Sequence, residues 1–315
     1  EETMEIVSFP ETDEKVFFRD LPKGISKVRI GDGITAIPDY AFAGCENLAD
    51  VVIPKTARTV GKCAFAQCVN LTELCLPEGV TSIADDTFLM CRSLTRLTIP
   101  DSVTTIEGNP FRYLAAEIQV SPENPTISVI DGVVFNKECT RLIACPCNKA
   151  GAYEIPDGVL EIGSHAFENC NDLTDVTIPA SVVSIAGNPF DFAQLELKLS
   201  PENPEFSLID GVLFDKTGTK LLVYPCGRPG DTYEVPEGTT EIGAFAFAGC
   251  QQLSKVTIPE SVTTIALNSF WNCDNLRLYV WDESYAQQYA REHRMDFFYI
   301  LPDMGPVIDE SDVLD

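Results

Sequence analysis

The side chains with most chemistry to offer in this chain are twelve cysteines, two histidines and a large excess of carboxylates. Cys139, Cys145 and Cys147 gather three thiols in one short stretch, the raw material of a zinc site. Zinc takes four ligands in tight pairs such as C-x2-C. Cys145-Pro146-Cys147 has the wrong gap and no neighbouring histidine, so no metal is expected, and a disulfide between those two would need an awkwardly tight ring. His165 lies five residues before Cys170, which invites a Cys–His nucleophile reading. The chain holds no G-x-S-x-G elbow, no phosphate-cradling glycine loop and no H-E-x-x-H. Paired carboxylates can hydrolyse glycosides, and Asp85-Asp86, Asp131, Asp210 and Glu310 are the candidates. Asp131-Gly132 and Asp210-Gly211 read better as turns. A calcium loop of the D-x-D-x-D-G kind is absent. No catalytic or cofactor-binding residue, and no cofactor, is expected.

A repeat explains most of these residues without chemistry. Phe42, Phe65, Phe88 and Phe111 stand 23 apart, as do Phe167 and Phe190, and Phe247 and Phe270. Cysteine follows three positions later at Cys45, Cys68, Cys91, Cys170, Cys250 and Cys273, and leucine three further on at Leu48, Leu71, Leu94, Leu173, Leu253 and Leu276. Ile37, Val60, Ile83, Ile106, Ile162, Ile185, Ile242 and Ile265 precede Phe by five. One short unit cannot bury such positions by itself, whereas stacked coils bury them as continuous ladders. The ladder cysteines therefore read as buried free thiols, small apolar groups with a weak S–H donor. His165 falls at a variable repeat position, where Asp39, Lys62, Asp86 and Phe245 hold comparable slots.

The elements that carry the ladders are short. Each coil holds one extended segment like Leu71-x-x-Leu74-x-Leu76 and a second like Val80-x-x-Ile83, stacking as parallel strands. Asp85 and Asp86 are expected to cap a single helical turn holding Phe88. Gly108-Asn109-Pro110-Phe111 opens a longer unit beginning Ser121-Pro122-Glu123-Asn124-Pro125, and a close copy begins at Ser200. Asn109 matches Asn188 and Asp131 matches Asp210, each 79 positions on. Within the insert, Val129–Phe135 and Thr140–Ala144 read as a strand pair with a tight turn at 136–139. At the start, Met4–Phe9 and Lys15–Arg19 read as two strands around a polar turn. At the end, Ser284–His293 reads as a short helix with Ser284 as N-cap and with Tyr285, Ala286 and Tyr289 on one face. Phe297–Leu301 reads as a closing strand. Trp281, Tyr285, Tyr289, Phe297, Phe298 and Tyr299 read as core around that helix.

The organisation expected is one structural domain: a cap over 1–24, a solenoid over 25–283 with inserts near 115–153 and 194–233, a capping helix and strand over 284–301, and an acidic tail over 302–315. Formal charge is −26, which opposes nucleic-acid binding and adsorption to anionic lipid. No run is apolar enough to span a membrane. The first residues, EETMEIVSF, do not form an export signal, which leaves either a cytoplasmic protein or a mature exported form.

These residues resemble the leucine-rich repeats of the BspA-like type, found in bacterial cell-surface proteins. The pattern IP-x-x-V-T-x-I-x-x-x-A-F-x-x-C-x-x-L-x-x-V-x-I-P reads directly on Ile53–Pro77 and Ile155–Pro179. The resemblance implies an α/β repeat solenoid, a right-handed leucine-rich-repeat superhelix that is β-rich with short helical turns and capped at both ends. It also implies a non-enzymatic module for protein binding or adhesion at a bacterial surface, secreted or cell-bound, and favours the exported form. The partner expected is a protein or other surface macromolecule, with no nucleic acid and no membrane insertion, and the chain is expected to be a monomer. The candidate contacts are strand-face positions Asp50, Glu73, Arg96, Asp175, Lys255 and Arg277, flanked by Val52, Cys75, Thr98, Thr177, Thr257 and Tyr279. Trp271 joins them, because it follows a ladder Phe at a site that should face outward. The alternatives are a structural spacer that displays another module and, less in keeping with two near-copies of one loop, an enzyme using the inserts.

Overall fold

The computed structural model describes residues 2–6 and 25–300. The strand expected over Lys15–Arg19, Leu301, the tail over 302–315 and Glu310 fall outside them. The chain forms two compact units, Glu1–Lys149 with Gly158–Glu168, and Ala150–Asp157 with Asn169–Asp315. Each is a β-solenoid of stacked coils.

In the first unit, strands Ile25–Ile30 and Asp50–Val52 pair in parallel, as do Glu73–Cys75, Arg96–Ile99 and Glu117–Val120. Glu2–Ile6 pairs with Ile25–Ile30. A second side stacks Ala36–Ile37, Thr59–Val60, Ser82–Ile83 and Thr105–Ile106, each in parallel register with the next. The Phe turns make the third side. Phe42, Phe65, Phe88 and Phe111 stack with centroids 5.3, 6.2 and 6.4 Å apart, and all four are buried.

The helical turn expected around Phe88 is not there. Tyr40, Cys63, Asp86, His165, Phe245 and Asn268, each two residues before Phe, adopt left-handed φ between 53 and 60°, so Tyr40 and Cys63, rather than Asp39 and Lys62, share the slot of His165. So do residues two after Phe, among them Gln67, Met90 and Asn272. Alternating handedness points every second amide along the stack. Tyr40, Phe42 and Gly44 N–H donate to the carbonyls of Lys62, Ala64 and Ala66, each at 2.8 Å. A helix would spend those donors within its own turn. Here they join one coil to the next, and the helical reading loses because the tertiary ladder satisfies the backbone better. Among the described residues the one helix is Tyr285–Glu292, with Ser284 accepting from Gln287 N–H as N-cap. Its buried residues are Ala286, Gln287, Tyr289 and Ala290, and Tyr285 lies on the exposed side, contrary to expectation.

The cysteine ladder uses the thiol as a donor. Cys68 Sγ donates to the Phe42 carbonyl (3.2 Å), Cys91 to Phe65 (3.0 Å) and Cys273 to Phe247 (3.1 Å). A small apolar side chain with one weak donor fits that slot. Burial pushes the Cys91 thiol up to about 12 and the Cys273 thiol up to about 11. One ladder member departs from the free-thiol expectation: Cys250 is disulfide-bonded to Cys226, with Cα atoms 4.7 Å apart. Cys226 sits in the Pro225-Cys226-Gly227 bend that returns from the second insert, within bridging reach of the ladder.

The inserts are three-stranded meanders. Ile127–Ile130, Val133–Asn136 and Arg141–Ala144 pair antiparallel in sequence, and Arg141–Leu142 then runs parallel to Glu161–Ile162. The single strand expected over 129–135 is split by its own Asp-Gly turn, Asp131 at φ 49° and Gly132 at φ 79°, the two left-handed residues of a tight hairpin. Phe206–Ile209, Val212–Asp215 and Lys220–Val223 repeat the arrangement in the second unit. Buried Asn124 and Asn203 fix the entry: the Asn124 Nδ2 donates to the Pro100 carbonyl (2.9 Å) while its Oδ1 accepts from Thr126 and Ile127 N–H.

Candidate functional site

The inward residues of each strand go to the core, so the odd positions between them form outward rows. In the first unit Lys27 lies beside Asp50, and Glu73 beside Arg96 and then Glu117. Arg96 Nη1 meets Glu73 Oε1 at 3.4 Å, an exposed contact of small energetic weight. Asp50–Val52 and Glu73–Cys75 belong to separate sheets, so the strand ladder is interrupted between them. A hollow of about 310 Å³ opens at that break, and Asp50, Val52, Glu73, Cys75, Arg96 and Thr98 line it. The structure thus brings together three of the residues expected to contact a partner, with Val52 49% exposed beside them. The Cys75 thiol is exposed in the same hollow.

In the second unit Lys255 lies beside Arg277, and Thr257 beside Tyr279 and then Phe298. Tyr279 and Phe298 stack at 5.3 Å, Lys255 Nζ stands 4.2 Å from the Tyr279 centroid, and the Arg277 guanidinium 5.8 Å from that of Phe298. Cation and ring contacts of this kind recur at binding surfaces. Phe298, expected as core, is instead half-buried on the outward row. Asp175 belongs to a different sheet of the same unit, where it accepts from Lys198 Nζ at 2.8 Å. The Lys198 hydrogen bond, with one from Thr174, holds the Asp175 carboxyl below its ordinary value. Trp271 is not on the strand face. It sits on the Phe-turn side, 51% exposed, edge-on to Phe192 (5.5 Å) and Phe245 (6.2 Å).

The carboxylates weighed for catalysis are engaged otherwise. Asp85 takes Lys62 Nζ (3.1 Å) and the Asn109 N–H (3.0 Å). Asp86 takes Arg112 Nη1 (2.9 Å), and Arg112 grips buried Glu168 with Nε (2.6 Å) and Nη2 (2.9 Å). Asp131 and Asp210 sit at hairpin turns, where Lys149 Nζ donates to the Asp131 carboxylate (2.6 Å) and Arg228 Nε to the Asp210 carbonyl (2.9 Å). A hollow of about 290 Å³ beside Asp210 and Arg228 is the second insert's own. Arg228 also lies over Tyr224 and Tyr233, which fixes the fork against the insert. His165 occupies a left-handed slot and its carbonyl accepts from Asn109 Nδ2 (3.3 Å).

Sequence reasoning named the outward rows and missed the hollow, since an interrupted ladder leaves no mark on residue type. It also missed the Arg112–Glu168 pair, whose partners stand on opposite sides of the insert.

Comparison with known proteins agrees with this architecture. The profile of the BspA type leucine rich repeat region matches six copies over residues 14–142, 145–216 and 230–289. A leucine rich cell surface protein from Faecalibacterium prausnitzii A2-165 is 26% identical, with 92% of this chain and 90% of that one covered at a TM-score of 0.51. The pneumococcal vaccine antigen PcpA shares the fold at 17% identity and a TM-score of 0.53, covering 95% of this chain and 85% of its own. No curated protein matches the chain. Among the described residues no helix is long and apolar enough to cross a membrane.

Proposed function

Since the chain belongs to the BspA-type leucine-rich-repeat family, we propose that it is a non-enzymatic binding module that engages a protein or other surface macromolecule through its outward strand rows. The observation that carries this reading is the hollow at the interrupted ladder, where Asp50, Glu73 and Arg96 surround exposed Val52 and Cys75. Charged groups around a small apolar floor provide orientation and desolvation together. The Lys255–Tyr279–Phe298–Arg277 set of the second unit is a further contact region of the same kind.

The finer features belong to the same reading: a right-handed superhelix, ends closed by the first strand and by the final helix and strand, display outside a bacterial cell, and action as a monomer in adhesion. The likeness to a cell surface protein supports the location. Net charge of −26 argues for a partner that is neither nucleic acid nor anionic lipid.

The test is binding of the purified chain to secreted and cell-surface protein fractions, repeated with Arg96→Glu and with Lys255→Glu. A saturable partner weakened about tenfold by Arg96→Glu, roughly 1.4 kcal/mol, supports the strand face of the first unit. Loss with Lys255→Glu alone moves the contact to the second. A partner indifferent to both removes the strand-face reading, and no partner at any salt concentration leaves a spacer that displays another module.

A further inference from the structure

The Phe-turn ladder has a direction, and its last rung is open. In the coils of Phe42 and Phe65, the amides at two before Phe, at Phe and at two after Phe all donate to carbonyls 22 residues on. Cys63, Phe65 and Gln67 donate to Asp85, Thr87 and Leu89 at 3.2, 2.9 and 2.7 Å. Phe247 and Gly249 donate to Ser269 and Trp271 at 2.8 and 2.9 Å. The equivalent amides of the final coil belong to Asn268, Phe270 and Asn272. Asn268 and Asn272 hold the same left-handed conformation, φ 59 and 56°, so the three N–H groups point the same way. Twenty-two residues on, the chain has become the helix Tyr285–Glu292, whose carbonyls are turned to its own ladder. Among the described residues no acceptor meets these three amides.

They open instead on a cavity of about 420 Å³. Every second amide of this backbone faces the same way, so the three form a row of donors that oxygen acceptors can meet. The rest of the lining indicates which acceptors. Trp271, Leu276 and Met295 give it an apolar side, and its charges, Asp274 and Asp296 against Arg294, leave one net negative. His293 is held in place by its ring stacked on Tyr289 at 4.0 Å and by Nδ1 donating to the Tyr289 carbonyl. A net negative lining disfavours a small anion. Three evenly spaced amides are what a main chain offering alternate carbonyls satisfies, as the coils following Phe42 and Phe65 do.

We propose that this cavity docks an extended peptide segment of a partner protein, whose alternate carbonyls accept from Asn268, Phe270 and Asn272 and whose apolar side chain rests on Trp271 and Met295. Main-chain bonds supply the affinity and the side-chain wall the selectivity, as in strand addition to an open sheet edge. The site uses none of the strand-row residues named above.

A random dodecapeptide phage library panned on the full chain supplies the probe. The expected result is enriched, apolar-anchored peptides that bind saturably and shift the Asn268, Phe270 and Asn272 amide resonances of 15N-labelled protein. The variant Asn268→Asp/Asn272→Asp retains residues suited to left-handed backbone and sets two carboxylates before the incoming carbonyls. It should weaken those peptides about tenfold with an unchanged melting temperature, while Arg96→Glu leaves them unaffected. Three results overturn the proposal: no enriched peptide, peptides that shift other amides, or acetate and phosphate moving these amides while peptides do not. So does peptide binding that appears only after residues 301–315 are removed, which would make the occupant part of this chain.

Discussion

Asn109 in the first unit and Asn188 in the second make the same bonds at the entry to their inserts, yet the outer layers of side chains over them differ. Asn109 Oδ1 accepts from Phe111 N–H and its Nδ2 donates to the His165 carbonyl. Asn188 Oδ1 accepts from Phe190 N–H and its Nδ2 donates to the Phe245 carbonyl. Outside this shared joint, the first unit places Lys62, Asp86, Arg112 and Glu168 in an ionic network. The second sets Trp271 edge-on to Phe192 and Phe245. The backbone course is thus specified by buried asparagine and left-handed turns, and the layer over it is free to be ionic or aromatic. That freedom lets one scaffold carry different surfaces.

The comparison can be broken or sharpened by mutation. The largest effect expected is shared: Phe65→Ala and Phe247→Ala each leave a cavity in a fully buried stack and should cost about 3–5 kcal/mol, measured as loss of hydrogen-exchange protection in the unit that holds them. Equal losses mean the ladders are equivalent; a loss confined to one unit means they are not. Next comes Arg112→Ala, which removes the guanidinium that grips buried Glu168 by two bonds and should cost about 3 kcal/mol in denaturant unfolding. Arg112→Met with Glu168→Leu should recover most of that, and failure to do so would make the pair more than a replaceable layer. Trp271→Ala in the aromatic layer should cost about 1 kcal/mol, because half of the ring is exposed and its contacts are edge-on.

The effect that is smallest near neutral pH, and grows only in alkali, is that of two buried thiols. Cys91 and Cys273 have raised folded pKa values from an ordinary 9, the first to about 12 and the second to about 11. Below pH 9 both folded and unfolded chains hold these protons and nothing is lost. Above it the unfolded thiols ionise first, so stability falls as pH rises toward the folded values. Cys91→Ala should flatten the fall of the first unit up to about pH 12, and Cys273→Ala that of the second up to about pH 11, read as the pH slope of the unfolding free energy.

How far the sequence reveals this molecule depends on what each feature needs. The ladders were legible because Phe, Cys, Leu and Ile recur in phase, and the Asp-Gly turns because their residues suit left-handed backbone, but the hairpin at Asp131-Gly132 was hidden under a strand expected to run through it. The Phe turn was misread as helical. Asp86 and His165 are natural left-handed residues, but Tyr40, Cys63 and Phe245 hold the same conformation and are not. Their shape is imposed by amides reaching to the next coil, which no local pattern reports. Cys250 looked like any other ladder thiol, because its distinction lies in Cys226 arriving from an insert. Of the candidate contacts, Asp50, Glu73 and Arg96 fell out of the repeat phase, while the hollow they share depends on an interruption of hydrogen bonding. Trp271 was correctly read as exposed, and the rings beneath it were not foreseen.

The matched asparagine joints also bear on how such a chain changes length over generations. Asn109-Pro110-Phe111 and Asn188-Pro189-Phe190 are interchangeable ends. In-frame loss of residues 110–188 therefore regenerates the same Gly-Asn-Pro-Phe junction, and its duplication does likewise. Recombination between the two copies adds or removes a whole insert-bearing segment without creating a junction that folding has not already accepted. A lineage carrying this gene can vary its reach and its number of displayed surfaces by unequal crossing-over, with point mutation left to tailor the exposed layer.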